Sequence, residues 1–187
     1  MTTARRCLAT NRRRRLALTG SGRARIKIHE TYGKALAMLK TIDPRLNADV
    51  LHALALMGHG DVIVVADANF PAASTAAKTE YGRLLNLSGL SLAQAVEAIL
   101  SLMPLDTLVG DAACRMRIDE DPTAVPPVQA EAQAAINAAE GRPRLIVGVA
   151  RQEFYDRAKR AYAVVLTGER RFYGSLLLRK GVIDPPA

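Results

Sequence analysis

Residues 57–67 of this chain read MGHGDVIVVAD, and their centre, Val62 to Ala66, is a continuous apolar run. A β-branched run of this length is typical of a strand that is buried on both faces of a sheet. Before it, apolar residues recur at helical spacing, and Asn47 can cap a helix that reaches about Met57. A helix followed by a buried strand, with a short polar connection between them, indicates an α/β fold.

The same alternation continues along the rest of the chain. Capping and proline signals predict further helices, and short apolar runs predict further strands. The predicted helices are 91–102, 127–141 and 152–160, and the predicted strands are 112–118, 145–149, 163–167 and 176–178. Residues 168–174 predict a hairpin or a longer sheet connection, and Gly58 is predicted as the left-handed residue that ends the first helix. We therefore expect one α/β domain with a central mixed β-sheet flanked by helices.

The positive charge of the chain is concentrated near its start. The net charge is +8, and residues 1–37 carry ten Lys and Arg against the single acid Glu30. Residues 38–187 carry 16 basic and 17 acidic residues and are therefore close to neutral. We divide the chain into a basic leader, 1–37, expected to be disordered on its own, and a domain, 38–187.

Three interpretations of the basic leader stay open. If translation begins at Met38, the leader is an artefact of the chosen start site. An Arg-rich, acid-poor leader is also typical of organelle targeting. A basic tail can bind nucleic acid or another anionic surface through charge alone. Because the domain has no basic stripe and no aromatic stacking platform, we expect no nucleic-acid partner outside the leader.

Several other functions are disfavoured by the composition. No apolar stretch approaches the roughly 18 residues of a membrane-spanning helix. Cys7 and Cys114 are too few for a disulfide framework, so we expect a cytoplasmic protein. The Gly58-His59-Gly60 segment precedes a strand, which reverses the order of a dinucleotide-binding loop. The three histidines lack the spacing of zinc ligands, so we expect no metal site.

Polar residues flank the Val62 strand at both of its ends. His59 and Asp61 precede it, and Asp67 and Asn69 follow it. Open α/β sheets bind ligands beyond strand ends, where acids and amides can hold the hydroxyls of a polyol. A histidine between two glycines is little crowded, and an imidazole can both accept and donate a proton, which suits proton transfer. The alternatives are loop capping by the acid and the amide, and an ordinary surface histidine.

Six ordered segments resemble the L-fucose mutarotase and D-ribose pyranase family. They are MLKTIDP at 38–44, MGHGD at 57–61, ADANFP at 66–71, FYDRA at 154–158, TGE at 167–169, and YG at 173–174 with LRKGV at 178–182. The resemblance covers residues 38–183. Its spacing and its FYDRA segment are closer to the fucose-type branch than to the ribose-type branch.

This resemblance implies an isomerase that interconverts the α and β anomers of a free monosaccharide. L-fucose is the expected sugar, followed by galactose and ribose, and the resemblance implies neither cofactor nor metal. General acid-base steps suffice for opening and reclosing the ring. Two alternatives stay open: a non-catalytic sugar-binding protein of the same fold, and a ribose-type pyranase that interconverts pyranose and furanose forms.

The resemblance also assigns roles to individual residues. His59 and Tyr173 match the proton carriers of the family. The residues that match its sugar-binding positions are Asp67, Arg151, Tyr173, Gly174 and Ser175. Ser175 stands where the family often has an asparagine, and Asn69 stands where a histidine is also common, so the sugar preference stays open. Two structural alternatives stay open: Tyr173 as a half-buried strand-edge residue, and Arg151 paired at the surface with a helix acid such as Glu153 or Asp156.

Members of this family form ring-like homo-oligomers with sites near subunit contacts, and the resemblance implies the same arrangement here. Five aromatic residues lie next to the predicted site loops: Phe70, Tyr81, Phe154, Tyr155 and Phe172. Aromatic side chains are enriched at protein interfaces, which favours a homo-oligomer. Ordinary core packing explains the same residues equally well.

Overall fold

The computed structural model describes residues 39–183 and 185, so the basic leader and its interpretations lie outside the described residues. The helices are α1 (Ala48–Leu56), α2 (Ala72–Ala76), α3 (Leu92–Leu100), α4 (Pro127–Ala139) and α5 (Arg151–Lys159). The strands are β1 (Val62–Ala66), β2 (Leu84–Leu87), β3 (Ala113–Met116), β4 (Ile146–Val149), β5 (Ala163–Thr167) and β6 (Leu176–Arg179). No helix within these residues combines the length and the apolar character needed to cross a membrane.

Side-chain caps begin two of the helices where the sequence predicts them. The Asn47 side chain accepts a hydrogen bond from the Val50 N–H, which satisfies one of the free amides at the start of α1. Ser91 and Gln94 form a reciprocal capping box at the start of α3. Pro127 occupies the first turn of α4. These three helix starts are confirmed.

The prediction for the end of α1 is wrong in one detail. Gly58 is not left-handed, because α1 ends in the extended residue Met57 and the Asp61 carboxylate accepts the Gly58 N–H at 2.7 Å. Gly60 takes the left-handed conformation instead, with φ of 88°. This turn lets the Gly60 N–H donate to the Lys180 carbonyl at 2.9 Å, which ties the loop to the chain beyond β6.

The six strands form one mixed sheet in the order β2-β5-β1-β6-β3-β4. Five of them run parallel, and β6 runs antiparallel between β1 and β3. The mixed sheet of the sequence prediction is confirmed. The predicted alternative of a hairpin between β5 and β6 is wrong, because β1 lies between these two strands. Residues 168–174 therefore form the longer connection.

Hydrophobic cores cover both faces of the sheet. Ile63 and Val65 of β1 pack on the face covered by α1, α3 and α4. Val64 and Ala66 pack on the opposite face, with α2 and α5. This alternation explains the unbroken apolar run of β1. The sequence did not predict α2 and β2. The helix is only five residues long, and the strand has only four residues, with the apolar Leu84 at an exposed position, so no polar-apolar alternation shows.

The strand directions give the sheet two chemically different margins. We call the margin where β1 to β5 end and β6 begins the carboxyl edge, and the opposite margin the amino edge. Leu176, the first residue of β6, pairs with Val65 and Arg115 near the ends of β1 and β3. Arg179, at the other end of β6, pairs with Val62 at the start of β1. The β6 strand therefore contributes residues to both margins.

Candidate active site

A cleft of about 320 Å³ opens at the carboxyl edge. It is lined by Asp67, Asn69, Phe70, Met116, Arg151, Tyr155, Phe172, Tyr173 and Ser175. These residues lie after β1, near the ends of β3 and β4, and in the segment before β6, which is why the sheet brings them together although they are far apart in sequence. The cleft combines carboxylate, guanidinium and phenol groups with aromatic walls, a set that suits a small polyol.

Asp67 and Ser175 form a buried pair at the floor of the cleft. The Ser175 hydroxyl donates to Asp67 Oδ2 at 2.7 Å and accepts from the Asp67 N–H at 3.0 Å. The other carboxylate oxygen accepts the Asn69 N–H at 2.9 Å. Ser175 is only 1% exposed, so its hydroxyl orients the aspartate. The structure thus gives Ser175 a partner other than the sugar contact that the resemblance implies.

Gly174 contributes space rather than a functional group. A side-chain carbon at this position would lie 2.7 Å from Glu169 Cγ and 3.4 Å from Asp67 Cβ. The absence of that carbon lets the segment before β6 approach Asp67 closely. Gly174 therefore shapes the cleft without lining it.

Arg151 and Tyr173 meet at the mouth of the cleft. Arg151 donates to the Tyr173 hydroxyl at 3.0 Å and, through Nε, to the Asp119 carboxylate at 2.7 Å. The Asp119 hydrogen bond is the main cause of the raised pKa of Arg151. Arg151 therefore pairs with Asp119 and not with an acid of its own helix. The Tyr173 oxygen accepts from Arg151, so the phenolic proton is free to be donated to a ligand.

The backbone of Tyr173 is left-handed, with φ of 60°. A bulky residue in this region costs on the order of 1–3 kcal/mol and persists only when its surroundings hold it. Glu169 holds the preceding part of the segment, because it accepts hydrogen bonds from the Arg171 guanidinium and from the backbone N–H groups of Arg170 and Arg171. The Arg171 contact lowers the pKa of Glu169 to about 2.

His59 lies at the amino edge, in the loop before β1. Its Nε2 is 3.1 Å from Oδ2 of Asp106, a buried residue that also faces Arg179 Nε at 3.4 Å. The pKa of Asp106 is lowered, mainly by the Leu108 N–H that donates to its other oxygen and further by His59 and Arg179. A carboxylate at this nitrogen assigns the histidine proton to Nε2 and leaves Nδ1 as the basic nitrogen.

The structure therefore does not bring His59 to the cleft of its own chain. His59 precedes β1 and Asp67 follows it, so the five residues of β1 separate them. Five residues of extended strand span about 17 Å, far beyond hydrogen-bond reach. The sequence placed polar groups at both ends of this strand, and the structure shows that the two ends belong to different margins.

A second cleft, of about 490 Å³, adjoins the amino edge. Arg157 lines it and is paired with Asp111 and Glu153, each at 2.7 Å. Cys114 also lines it, and burial raises the pKa of this thiol to about 11, so the group is a poor nucleophile. Within the described residues, no three or more His, Cys, Asp or Glu side chains are grouped to hold a metal.

Three polar residues that shape these margins were missed from the sequence: Asp106, Gln129 and Glu169. Gln129 could have been found from the sequence, because it shares the apolar face of an Ala-rich helix with Ala132 and Ile136. A polar residue on an apolar face indicates a buried hydrogen-bonding role. Asp106 had none, because its partner His59 is far away in sequence. Among the five aromatics, Phe154 is a core residue, whereas Phe172 is 77% exposed.

Comparisons with known proteins agree with this architecture. The RbsD / FucU transport protein family matches residues 40–183. The fucose mutarotase of Homo sapiens is 43% identical over 152 residues, which cover 79% of this chain and 96% of that protein. The fucose mutarotase of Streptococcus pneumoniae, solved in complex with L-fucose, is 36% identical, with a TM-score of 0.69, and covers 78% of this chain and 100% of its own.

The ribose-type relatives share the fold more distantly. The RbsD of Bacillus subtilis, solved in complex with D-ribose, has a TM-score of 0.60 at 22% identity and covers 79% of this chain and all of its own. The fold, the extent of the family match and the identity to fucose mutarotases agree with one another. The chain belongs to the RbsD / FucU family.

Proposed function

We propose that residues 38–187 of this chain interconvert the α and β anomers of a free monosaccharide, with L-fucose as the preferred sugar. The observation that carries this proposal is the carboxyl-edge cleft, where Asp67, Arg151 and Tyr173 converge. Its chemical character matches what a small polyol needs, and the chain is 43% identical to a fucose mutarotase. The protein is thus an isomerase in this proposal.

In this mechanism the cleft binds the sugar through a few charged groups and an aromatic wall. Asp67 accepts hydrogen bonds from sugar hydroxyls, and Arg151 donates to sugar oxygens. Phe70 and Tyr155, stacked with ring centroids 5.4 Å apart, form the apolar wall of the cleft against which the apolar side of the sugar packs. Ser175 stays with Asp67 and sets the direction of its carboxylate.

Anomer exchange requires two proton transfers. A base takes the proton of the anomeric hydroxyl while an acid protonates the ring oxygen, and the ring opens. Rotation about the C1–C2 bond and reclosure then give the other anomer. Tyr173 is one proton carrier, because its hydroxyl faces the cleft and Arg151 beside it stabilises a developing phenolate charge. General acid-base steps of this kind contribute about 10² to 10⁴ each.

His59 is the second proton carrier, and it acts in the cleft of a second copy of the chain. Within one chain the length of β1 separates His59 from Asp67. The side chain is 45% exposed at the amino edge, so another copy can approach its Nδ1. Asp106 holds Nε2 and stabilises the imidazolium that forms when Nδ1 takes a proton. The proposal therefore requires a homo-oligomer in which an amino edge meets a carboxyl edge.

The direct test is NMR saturation transfer between the anomers of L-fucose, galactose, ribose and glucose in the presence of the full chain. We expect faster exchange than in buffer for at least one of the first three sugars, and the largest effect for L-fucose. If micromolar protein accelerates none of them, the proposal is wrong. Sugar binding without faster exchange would instead support the non-catalytic sugar-binding alternative.

A further inference from the structure

One contact from α4 reaches the main chain of the proposed proton carrier Tyr173. The Gln129 side-chain amide donates to the Tyr173 carbonyl at 2.9 Å. Among the hydrogen bonds of the described residues, no other reaches the backbone of Tyr173. The Glu169 contacts end two residues earlier, at Arg171. The left-handed peptide that aims the phenol therefore depends on a residue outside the cleft.

The Gln129 side chain is fixed by burial and by hydrogen bonds at each of its polar atoms. Its side chain is completely buried, and the second N–H of its amide donates to the Met116 carbonyl at 3.0 Å, at the end of β3. The Arg115 guanidinium donates to its Oε1 at 2.9 Å. Because a guanidinium can only donate, it assigns the oxygen and nitrogen of the amide without ambiguity. Every polar atom of the amide is thereby used.

We propose that Gln129 is a positioning residue for Tyr173. By joining the end of β3 to the Tyr173 carbonyl, it fixes the left-handed backbone and places the phenol beside Arg151 at the cleft. Its effect on sugar chemistry rests on the proposed function, whereas its effect on the phenol does not. A displacement of about 1 Å in a reacting group lowers rates strongly, so a contact to backbone alone can control catalysis.

Gln133 offers a matched control on the same helix. It lies one turn further along α4, and its amide also donates twice, to Asn137 Oδ1 at 2.9 Å and to the Arg144 carbonyl. Its oxygen accepts the Ile146 N–H at 3.0 Å, at the start of β4 on the amino edge. Replacing either glutamine by methionine removes the same number of hydrogen bonds with nearly the same volume.

The first experiment compares Gln129→Met with Gln133→Met in anomer exchange. We expect Gln129→Met to lower exchange at saturating sugar by about tenfold or more, with the half-saturating sugar concentration changed less than about threefold. Gln133→Met should leave both quantities near wild type, with a smaller loss in Tm because Gln133 is only partly buried. Equal losses of exchange in the two variants would overturn the proposal. Gln129→Glu, which keeps the Arg115 partner but cannot donate to Tyr173, provides a second variant if the first does not fold.

A double-mutant cycle separates positioning from a merely structural role. In a Tyr173→Phe background the hydroxyl is absent, so the further change Gln129→Met should lower exchange less than about twofold. If the two losses multiply instead, Gln129 acts independently of the phenol and the proposal fails.

A readout without sugar distinguishes failure of this proposal from failure of the proposed function. The chain has five tyrosines, and with 3-fluorotyrosine incorporated, the ¹⁹F resonance that disappears in Tyr173→Phe belongs to Tyr173. We expect this resonance to shift or broaden in Gln129→Met and Gln129→Glu and to stay unchanged in Gln133→Met. An unchanged Tyr173 resonance in both Gln129 variants overturns the positioning role, whatever the protein does with sugars.

Discussion

The carboxyl edge and the amino edge of the sheet hold their polar groups in opposite ways. At the carboxyl edge Asp67 is 7% exposed, and its carboxylate is already bonded to Ser175 and to the Asn69 N–H. At the amino edge the buried Asp106 anchors His59, whose ring is presented to the outside. A buried carboxylate held by hydrogen bonds suits a cleft that binds a small ligand. An exposed imidazole suits contact with the surface of another molecule. In the proposed mechanism these two arrangements are complementary halves of one site, contributed by different copies of the chain.

The largest expected effect comes from two separate variants, His59→Ala and Tyr173→Phe, which are first measured alone and then co-expressed. We expect His59→Ala alone to lower exchange at saturating sugar by about 10²-fold or more, with Tm nearly unchanged, because His59 has one side-chain partner and is flanked by glycines. Tyr173→Phe should lose a similar or somewhat smaller factor. Co-expression of the two variants should restore activity at about one site in four, since such a site draws its intact halves from different copies.

A pair of variants from one edge gives the control for this experiment. When His59→Ala is co-expressed with Asp106→Asn, every amino edge carries one of the two changes, so activity should not exceed the mean of the two variants expressed alone. Recovery in this control, or no recovery in the first mixture, would contradict a site shared between two copies. The measurement is anomer exchange by NMR at equal total protein.

Asp67→Asn should have a smaller effect, on sugar affinity rather than on the exchange rate at saturating sugar. This variant therefore separates sugar binding from proton transfer. The change keeps the size of the side chain and loses its charge, so it weakens hydrogen bonds to sugar hydroxyls. Charge-assisted hydrogen bonds contribute about 1.5–3 kcal/mol, which corresponds to sugar binding weaker by about 10- to 100-fold. Titration of the sugar measures this, with Asp156→Asn on the exposed side of α5 as the unaffected control. A loss of exchange with unchanged affinity would place Asp67 among the proton carriers instead.

The smallest effect concerns stability, at Glu169→Gln. The Glu169 pKa is lowered from its ordinary 4.5 to about 2, chiefly by Arg171, so the folded state favours the charged form. This contribution is complete above about pH 5 and is lost as the pH falls toward 2. The Tm difference between wild type and Glu169→Gln should therefore be largest near neutral pH and close to zero near pH 2. A difference that grows in acid would contradict this assignment.

Glu131→Gln is the matched control for this measurement. Glu131 contacts the same Arg171 at 2.7 Å, but it is solvent-exposed, so its ion pair is weak. Its Tm difference from wild type should be smaller than that of Glu169→Gln near neutral pH, and both differences should approach zero near pH 2.

Much of the fold followed from local signals in the sequence. The β1 run, the caps of α1 and α3, and Pro127 at the start of α4 each depend on neighbouring residues, and each is confirmed. The edge strand β2 gave no such signal, because it has only four residues and its exposed position 84 carries a leucine, which hides the alternation. The position of β6 is a long-range property, since strand order depends on pairing across the whole chain.

The candidate site likewise combines residues that were predicted from the sequence with contacts that were not. Asp67, Arg151 and Tyr173 were predicted from the family resemblance, and the structure places them around one cleft. The partners that hold them, such as Gln129 for the Tyr173 backbone, are contacts between distant segments that no local pattern encodes. The placement of His59 at the other margin likewise depends on the direction of β1 within the sheet.

The position of β6 also has a consequence for how the chain acquires its structure. This strand follows all the other described strands in sequence, yet it joins the β2-β5-β1 half of the sheet to the β3-β4 half. Without β6, the strands β1 and β3 would each leave an unpaired strand edge where another chain can pair. Insertion closes contacts between residues more than a hundred positions apart, and contacts of such separation form slowly. We therefore expect the chain to be most prone to aggregation before β6 pairs.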